Sequence, residues 1–236
     1  MQSLGDRMKE NYENRYRFYL TRRTPVVIRL DGKAFHTITK KCDKPFDGPF
    51  CTAMDVTAGM LVNDIQGSKL AYVQSDEISI LLTDFDRFNT DAWFDYNIQK
   101  IVSVSAGMAS AYFSQHWESY VALGDKLSMG IFDCRAFNLP KEEVCNYFIW
   151  RQQDWFKNSL QMLARAHFSH KQLKGKKTQD LHDMLYKQGI NWTEQSNRYK
   201  NGCCYIKIDG EWLMRSELIF TKEREVVENL LISIEE

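Results

Sequence analysis

Pro25-Val-Val-Ile-Arg-Leu-Asp-Gly-Lys-Ala-Phe-His36 is an apolar run that stops abruptly at an Asp-Gly pair. Val26 to Leu30, rich in β-branched residues, reads as a buried strand that Asp31-Gly32 ends. A carboxylate at the exposed end of a rigid strand is held in place, and the glycine after it lets the backbone turn closely around whatever the carboxylate binds. That architecture suits a metal. Asp-Gly is equally an ordinary turn pair, and the dipeptide alone leaves both readings open.

A second stretch bears on the choice. Lys69-Leu-Ala-Tyr-Val-Gln-Ser-Asp-Glu-Ile-Ser-Ile-Leu-Leu82 has two apolar runs flanking Gln74-Ser75-Asp76-Glu77, a hairpin with acids at its tip. Surface turns also favour acids. Yet one strand-end Asp and one hairpin-tip Asp are what a two-metal site requires, because two Mg²⁺ ions must share hard anionic oxygens while leaving positions for phosphate.

Working outward, Ala53, Val56, Met60 and Leu61 recur at helical spacing between Phe50 and Ile65, with Gly67 closing the helix. Asp91 to Phe113 carries Ile98, Ile101, Val102, Ser105, Met108, Ala109 and Tyr112 on one helical face, and Ser128 to Phe137 reads as a further strand. The order β-α-β-β-α-β predicts an α+β, ferredoxin-like domain. Its first strand and middle hairpin lie centrally, which brings Asp31 beside Asp76 if both turns share one sheet edge. Before it, Ser3 to Leu20 is expected to be an outer helix presenting Leu4, Met8, Tyr12 and Tyr16, with Arg15, Arg17, Arg22 and Arg23 at a solvated basic end. Lys40 to Pro49 is a loop.

Beyond Pro140 the character changes. A long helix is predicted to Arg165, then a basic segment Lys171 to Lys177, a helix Thr178 to Lys187 capped by Gly189, and a hairpin of Cys203–Ile208 and Glu211–Ile219 about Asp209-Gly210. A charged, helical tail follows from Thr221. The expected division is a catalytic domain with its N-terminal helix over 1–138 and a helical and β-hairpin extension packed on it over 139–236.

The 236 residues can bury a sizeable core, and a net charge of zero means that any nucleic-acid binding must come from local basic patches. Six cysteines without a C-x-x-C pair read as reduced thiols rather than a zinc site. No apolar run reaches transmembrane length and the first residues lack a signal-peptide core, so the expectation is a cytoplasmic protein with no membrane partner. His167 and His170 lack neighbouring ligands and read as surface or structural residues. Neither a Ser-His-Asp arrangement nor a G-x-x-x-x-G-K-[ST] loop is present, so phosphate must be handled by metal, lysines and exposed amides.

Arg29-Leu-Asp-Gly-Lys-Ala-Phe-His36, Gln74-Ser-Asp-Glu77, Phe132-Asp-Cys-Arg135 and Tyr147-Phe-Ile-Trp-Arg-Gln-Gln-Asp154 resemble the successive motifs of the tRNA-histidine guanylyltransferase family, from Asp6 to about Gly202. The resemblance implies enzymes that add nucleotides to RNA 5′ ends in the 3′-to-5′ direction on a domain similar to the palm of polymerases. It implies that Asp31 and Asp76 are catalytic and bind two Mg²⁺ ions with the Gly32 carbonyl, and that Asp31, Gly32, Lys33, Ala34, Phe35, His36 and Ser75 hold the nucleoside triphosphate, ATP or GTP. Lys44, Asp47 and Lys100 match positions near triphosphate or the RNA end. A homotetramer is also implied.

Where tRNA-histidine enzymes carry His-Ile-Asn-Asn-Leu-Tyr-Asn-Thr, this chain has Phe156-Lys-Asn-Ser-Leu160, more similar to the bacterial and archaeal "like" proteins. The expected activity is therefore template-dependent repair of 5′-truncated tRNA, with G addition to tRNA-histidine the alternative. Lys157, Asn158 and Ser159, and Lys174, Lys176 and Lys177 of the basic segment, are the expected RNA contacts. A nucleotide cyclase would share the carboxylates without needing RNA, and a non-enzymatic RNA-binding module would use the acids only as turns.

Overall fold

The structure, a computed structural model, describes residues 2–118 and 129–232. In chain order it comprises α1 (Leu4–Asn11), β1 (Val26–Gly32), α2 (Phe35–Ile38), α3 (Gly48–Asp64), β2 (Ser68–Gln74), β3 (Glu77–Leu82), α4 (Ile98–Trp117) and β4 (Phe132–Asn138). There follow α5 (Lys141–His167), α6 (His170–Leu173), α7 (Thr178–Tyr186), α8 (Asn197–Asn201), β5 (Cys203–Ile208), β6 (Glu211–Arg215) and α9 (Arg224–Glu228). One antiparallel sheet runs β4-β1-β3-β2-β5-β6, so β1 and β3 are central.

Both faces of the sheet are covered, which is why β1 reads as a continuous apolar run rather than an alternating one. Val26, Ile28 and Leu30 share a core with Ala53, Met54 and Leu61 of α3 and Ile101, Ala109 and Phe113 of α4. Val27 shares the opposite core with Leu70, Tyr72 and Leu81, with Val144 and Phe148 of α5, and with Phe220. The two-residue period then directs Arg29 and Asp31 to the α5 face.

Several boundaries differ from the sequence reading. The first helix stops at Asn11 because Leu4, Met8, Tyr12 and Tyr16 are all exposed and find nothing to bury, and the chain instead pairs Tyr19 with Asn97. Arg22 is not part of a solvated helix end: its Nε lies 2.6 Å from buried Asp84. α4 begins at Ile98 rather than Asp91, since Phe94, Asp95 and Tyr96 hold left-handed φ and Asn97 caps the helix through the Lys100 amide. Of the strand expected from Ser128, residue 128 lies outside the described residues and β4 starts at Phe132.

The hairpin forms as expected on Asp209-Gly210, both left-handed, but β5 pairs with β2 and extends the main sheet. The sheet therefore draws strands from both sides of residue 138. β6 ends at Arg215, short of Ile219. There the Gln152 side chain replaces a neighbouring strand, donating to Leu218 O and accepting from Phe220 N.

Candidate active site

Asp31 and Gly32 are not a turn. Both remain in β1, with Asp31 opposite Glu77 on one side and Asp133 on the other. β2 and β3 join through the two-residue turn Ser75-Asp76, whose Ser75 has φ +47°. The Gly32 amide donates to Asp76 O at 3.0 Å, locking that turn against the end of β1. The glycine is required by close approach: a Cβ on Gly32 would sit 2.5 Å from Phe35 Cγ. Phe35 follows Ala34, which is left-handed, and its ring packs 5.0 Å from both Phe113 and Phe132.

The acids gathered here are treated unequally. Glu77 is buried and fully compensated, receiving Arg151 Nε at 2.7 Å, Arg151 Nη2 at 2.8 Å and Arg29 Nη2 at 2.6 Å. Arg151 in turn lies over the Trp150 ring. Asp31 and Asp76, both half-buried, ion-pair with no Lys or Arg among the described residues. Burial first, and then the charge of Glu77, pushes the Asp31 carboxyl above the usual carboxylate range. Burial likewise raises Asp76, partly offset by hydrogen bonds from its own amide and Ser75, with Asp31 and Glu77 adding repulsion. Two half-buried carboxylates that repel one another, with hard oxygen donors only, fit Mg²⁺. No group of three or more His, Cys, Asp or Glu among the described residues could hold a metal unaided. An ion at Asp31 and Asp76 therefore needs backbone carbonyl, water or substrate phosphate oxygens to complete its shell, the usual arrangement for Mg²⁺.

Beside the turn, a cavity of about 90 Å³ brings together Ser75, Lys44 and Asp47 with Trp155 and Met162 of α5. Lys44 Nζ donates to Thr39 O. Asp47 lies on the wall, but its oxygens already accept from the Phe50 and Asp43 amides, so it caps α3. Lys33, Ala34 and His36 are exposed beside Asp31.

Three expected site residues are corrected. The Phe35 side chain is core and can offer a nucleotide only its backbone. Lys100 stands at the wrong end of the sheet. β3 runs away from the Ser75-Asp76 turn, so α4 starts at the far edge, and only its Ser110, about 15 Å further along the axis, bonds the Phe132 amide beside Gly32. Ser159 is fully buried, donating to Tyr199 O and accepting from Trp192 Nε1, and cannot meet RNA. Lys157 and Asn158 are exposed on α5, as are Lys174, Lys176 and Lys177 around the α6–α7 connection.

Arg29, Glu77 and Arg151 lie within the quoted motifs without an assigned role. The available signal is charge where burial is expected: Arg29 sits in an apolar strand, and Arg151 sits on the same α5 stripe as Val144, Phe148 and Trp155. A buried guanidinium must be paired.

This fold and its chain sequence have known relatives. The family model for tRNAHis guanylyltransferase matches residues 5–140, and a tRNA(His) guanylyltransferase of Schizosaccharomyces pombe is 30% identical over 85% of this chain and 81% of its own. The chain belongs to the tRNAHis guanylyltransferase family of nucleotidyltransferases. Within it, the chain is similar to a bacterial tRNA(His) guanylyltransferase (Thg1)-like protein in complex with ATP, at TM-score 0.90 and 46% identity over 98% of this chain and 99% of that one. A solved structure of a bacterial tRNA(His) guanylyltransferase (Thg1)-like protein in complex with GTP gives 0.81 and 42% over 97% and 99%.

Proposed function

We propose that this chain is a Mg²⁺-dependent nucleotidyltransferase that adds nucleotides to the 5′ end of tRNA in the 3′-to-5′ direction, chiefly to repair 5′-truncated tRNA. Its catalytic unit is read as a ferredoxin-like palm built on β4-β1-β3-β2. The observation that carries the reading is the uncompensated pair Asp31 and Asp76, fixed at one sheet edge by the Gly32–Asp76 hydrogen bond and adjoining the cavity of Ser75 and Lys44. The relatives' complexes with ATP and GTP support ATP and GTP as substrates here.

Two Mg²⁺ ions held by Asp31, Asp76 and the Gly32 carbonyl would neutralise charge developing on the phosphoryl oxygens. The chain's own contribution is positional. β1 and the β2–β3 turn fix the two carboxylates on a rigid edge, and Arg29 and Arg151 occupy Glu77 so that it does not add its repulsion uncompensated. Lys33 and the exposed backbone at Ala34 and His36 face the triphosphate, with Lys44 across the cavity. The 3′-hydroxyl of the incoming nucleotide then attacks in line on an activated 5′ end held against this edge. Lys157, Asn158, Lys174, Lys176 and Lys177 hold the RNA backbone; the basic segment Lys171 to Lys177 and the long helical C-terminal part favour the RNA enzyme over a cyclase.

The short Lys157-Asn158-Ser159 stretch favours repair over dedicated G addition, with the incoming base chosen by pairing. A cytoplasmic homotetramer completes the reading; light scattering tests the assembly, in which the exposed Leu4, Met8, Tyr12 and Tyr16 are available for burial. The decisive experiment offers the protein, NTPs and Mg²⁺ to tRNAs lacking the 5′ nucleotide with each base opposite the gap. Extension should follow the opposing base; G added to tRNA-histidine alone, opposite any base, restores the dedicated enzyme. No extension at all, with Mg²⁺ and ATP bound, refutes the transfer reading.

A further inference from the structure

Although the chain is neutral overall, the interval between Asp154 and Asp180 contains Lys157, Arg165, Lys171, Lys174, Lys176 and Lys177 and no acid. Among the described residues, Arg165 bonds Gln161 of its own helix, and no carboxylate ion-pairs with Arg165, Lys174 or Lys176. These three meet at a cavity of about 380 Å³ between the end of α5, α6 and the start of α7. Its floor is apolar, formed by Phe168, Leu173 and Leu181 on the small core that ties α7 to α5.

The combination is selective. A bare phosphate needs the cations but not the apolar floor, and an apolar ligand needs the floor but not three unpaired cations. A nucleotide needs both, its base lying on carbon and its phosphate facing Arg165, Lys174 and Lys176. The volume falls in the range of about 300–1,000 Å³ usual for small-ligand sites. This cavity is not the one beside Ser75: Trp155 and Met162 line that one, while Gln161 and Arg165 line this one, on a different face of α5.

We propose that the α5–α6–α7 cavity is a second nucleotide seat, separate from Asp31 and Asp76, that receives one unstacked nucleotide. The nucleotide comes either from bound tRNA, a source that rests on the function proposed above, or from a free mononucleotide. Two kinds of variant separate shape from charge. Gln161→Trp, at an exposed rim position, fills the cavity without changing its charge. Lys174→Glu with Lys176→Glu reverses the charge without filling it.

The probes are a tRNA transcript, titrated over a range of salt, and adenosine 5′-monophosphate in equilibrium dialysis against an Asp31→Ala, Asp76→Ala background. If tRNA supplies the nucleotide, Gln161→Trp lowers tRNA affinity about tenfold, the order of one stacked base, at an unchanged salt slope. The double Glu variant lowers affinity and flattens the slope. If the source is free nucleotide, the background protein retains AMP and Gln161→Trp abolishes retention. Unchanged tRNA affinity in Gln161→Trp, with AMP either not retained or retained regardless, overturns the proposal and leaves the cations as a solvated surface. A wild-type protein that binds no tRNA fails the functional reading, and the AMP arm alone then decides the cavity. Gln161→Phe replaces Gln161→Trp if the latter's thermal melt shows misfolding.

Discussion

Replacing Arg151 with Met removes the Nε and Nη2 bonds that hold both oxygens of Glu77, at 2.7 and 2.8 Å, while keeping an unbranched apolar stem on α5. Arg151 is 5% exposed and Glu77 6%, so the charge left behind is buried rather than rehydrated. Stripping one partner from a buried pair costs about 3–5 kcal/mol. Here Arg29 still reaches Glu77 at 2.6 Å, which places the loss at the low end, about 3 kcal/mol. For a chain of this size that is a fall in melting temperature of about 6–12 °C. Urea denaturation of wild type, Arg151→Met, Glu77→Gln and the double variant measures the coupling directly. The double variant should be more stable than the sum of the single losses predicts, because a neutral amide in place of the Glu77 carboxylate no longer needs a cation. Additive losses, or a drop below about 1 kcal/mol for Arg151→Met, would refute the account of Glu77 as a compensated charge behind the site.

Asp31→Asn and Asp76→Asn should each cut nucleotide transfer by several orders of magnitude while making the metal-free protein more stable near neutral pH. Both carboxyls are raised on folding, so the native state favours their protonated forms and their stabilisation is lost as pH rises through the raised value. The Asn variants should accordingly lose part of the decline in stability above the ordinary carboxylate range, measured as melting temperature against pH without divalent ions. Gly32→Ala should cost about 1–3 kcal/mol and reduce transfer, since its Cβ would displace the Phe35 ring and the loop beside Asp31; a native-like melt argues against that clash. Ser159→Ala should destabilise by about 1–3 kcal/mol, by orphaning Trp192 Nε1 and Tyr199 O, and leave the salt slope of tRNA binding unchanged. Lys100→Ala should leave the affinity of one isolated chain for nucleotide unaltered.

Local signals account for what was legible in the chain. The β-branched run of β1, the Gly67 stop after α3, the Pro140 start of α5 and the Asp209-Gly210 turn are each written within a few residues. Pairing of β2 with β5, some 130 residues apart, has no local signature, so the hairpin could be read but not its place in the sheet. The late start of α4 depends on burying Trp93 and Tyr96, a tertiary gain that holds three residues in left-handed conformations. Ser159 reads as exposed from its motif, although Trp155 and Leu163, four residues to either side, already mark the buried stripe of α5.

Chain topology alone places Lys100 away from the carboxylate edge. In β-α-β-β-α-β order the hairpin turn and the end of β1 share an edge, so β3 must leave that edge and the helix after it must begin at the opposite one. A lysine in the first turn of α4 is thereby excluded from the carboxylate edge of its own chain, whatever its motif suggests. The same reasoning explains why Asp31 and Asp76 can be left without cations at a bearable cost. They sit at strand end and turn, where water or substrate reaches them, whereas Glu77, one position into the sheet, is cut off from solvent and requires both Arg29 and Arg151. The gradient from compensated to uncompensated acid across two residues is what the proposed Mg²⁺ site at this edge rests on, and loss of Mg²⁺-dependent nucleotide binding in Asp76→Asn with Glu77 untouched is the result it requires.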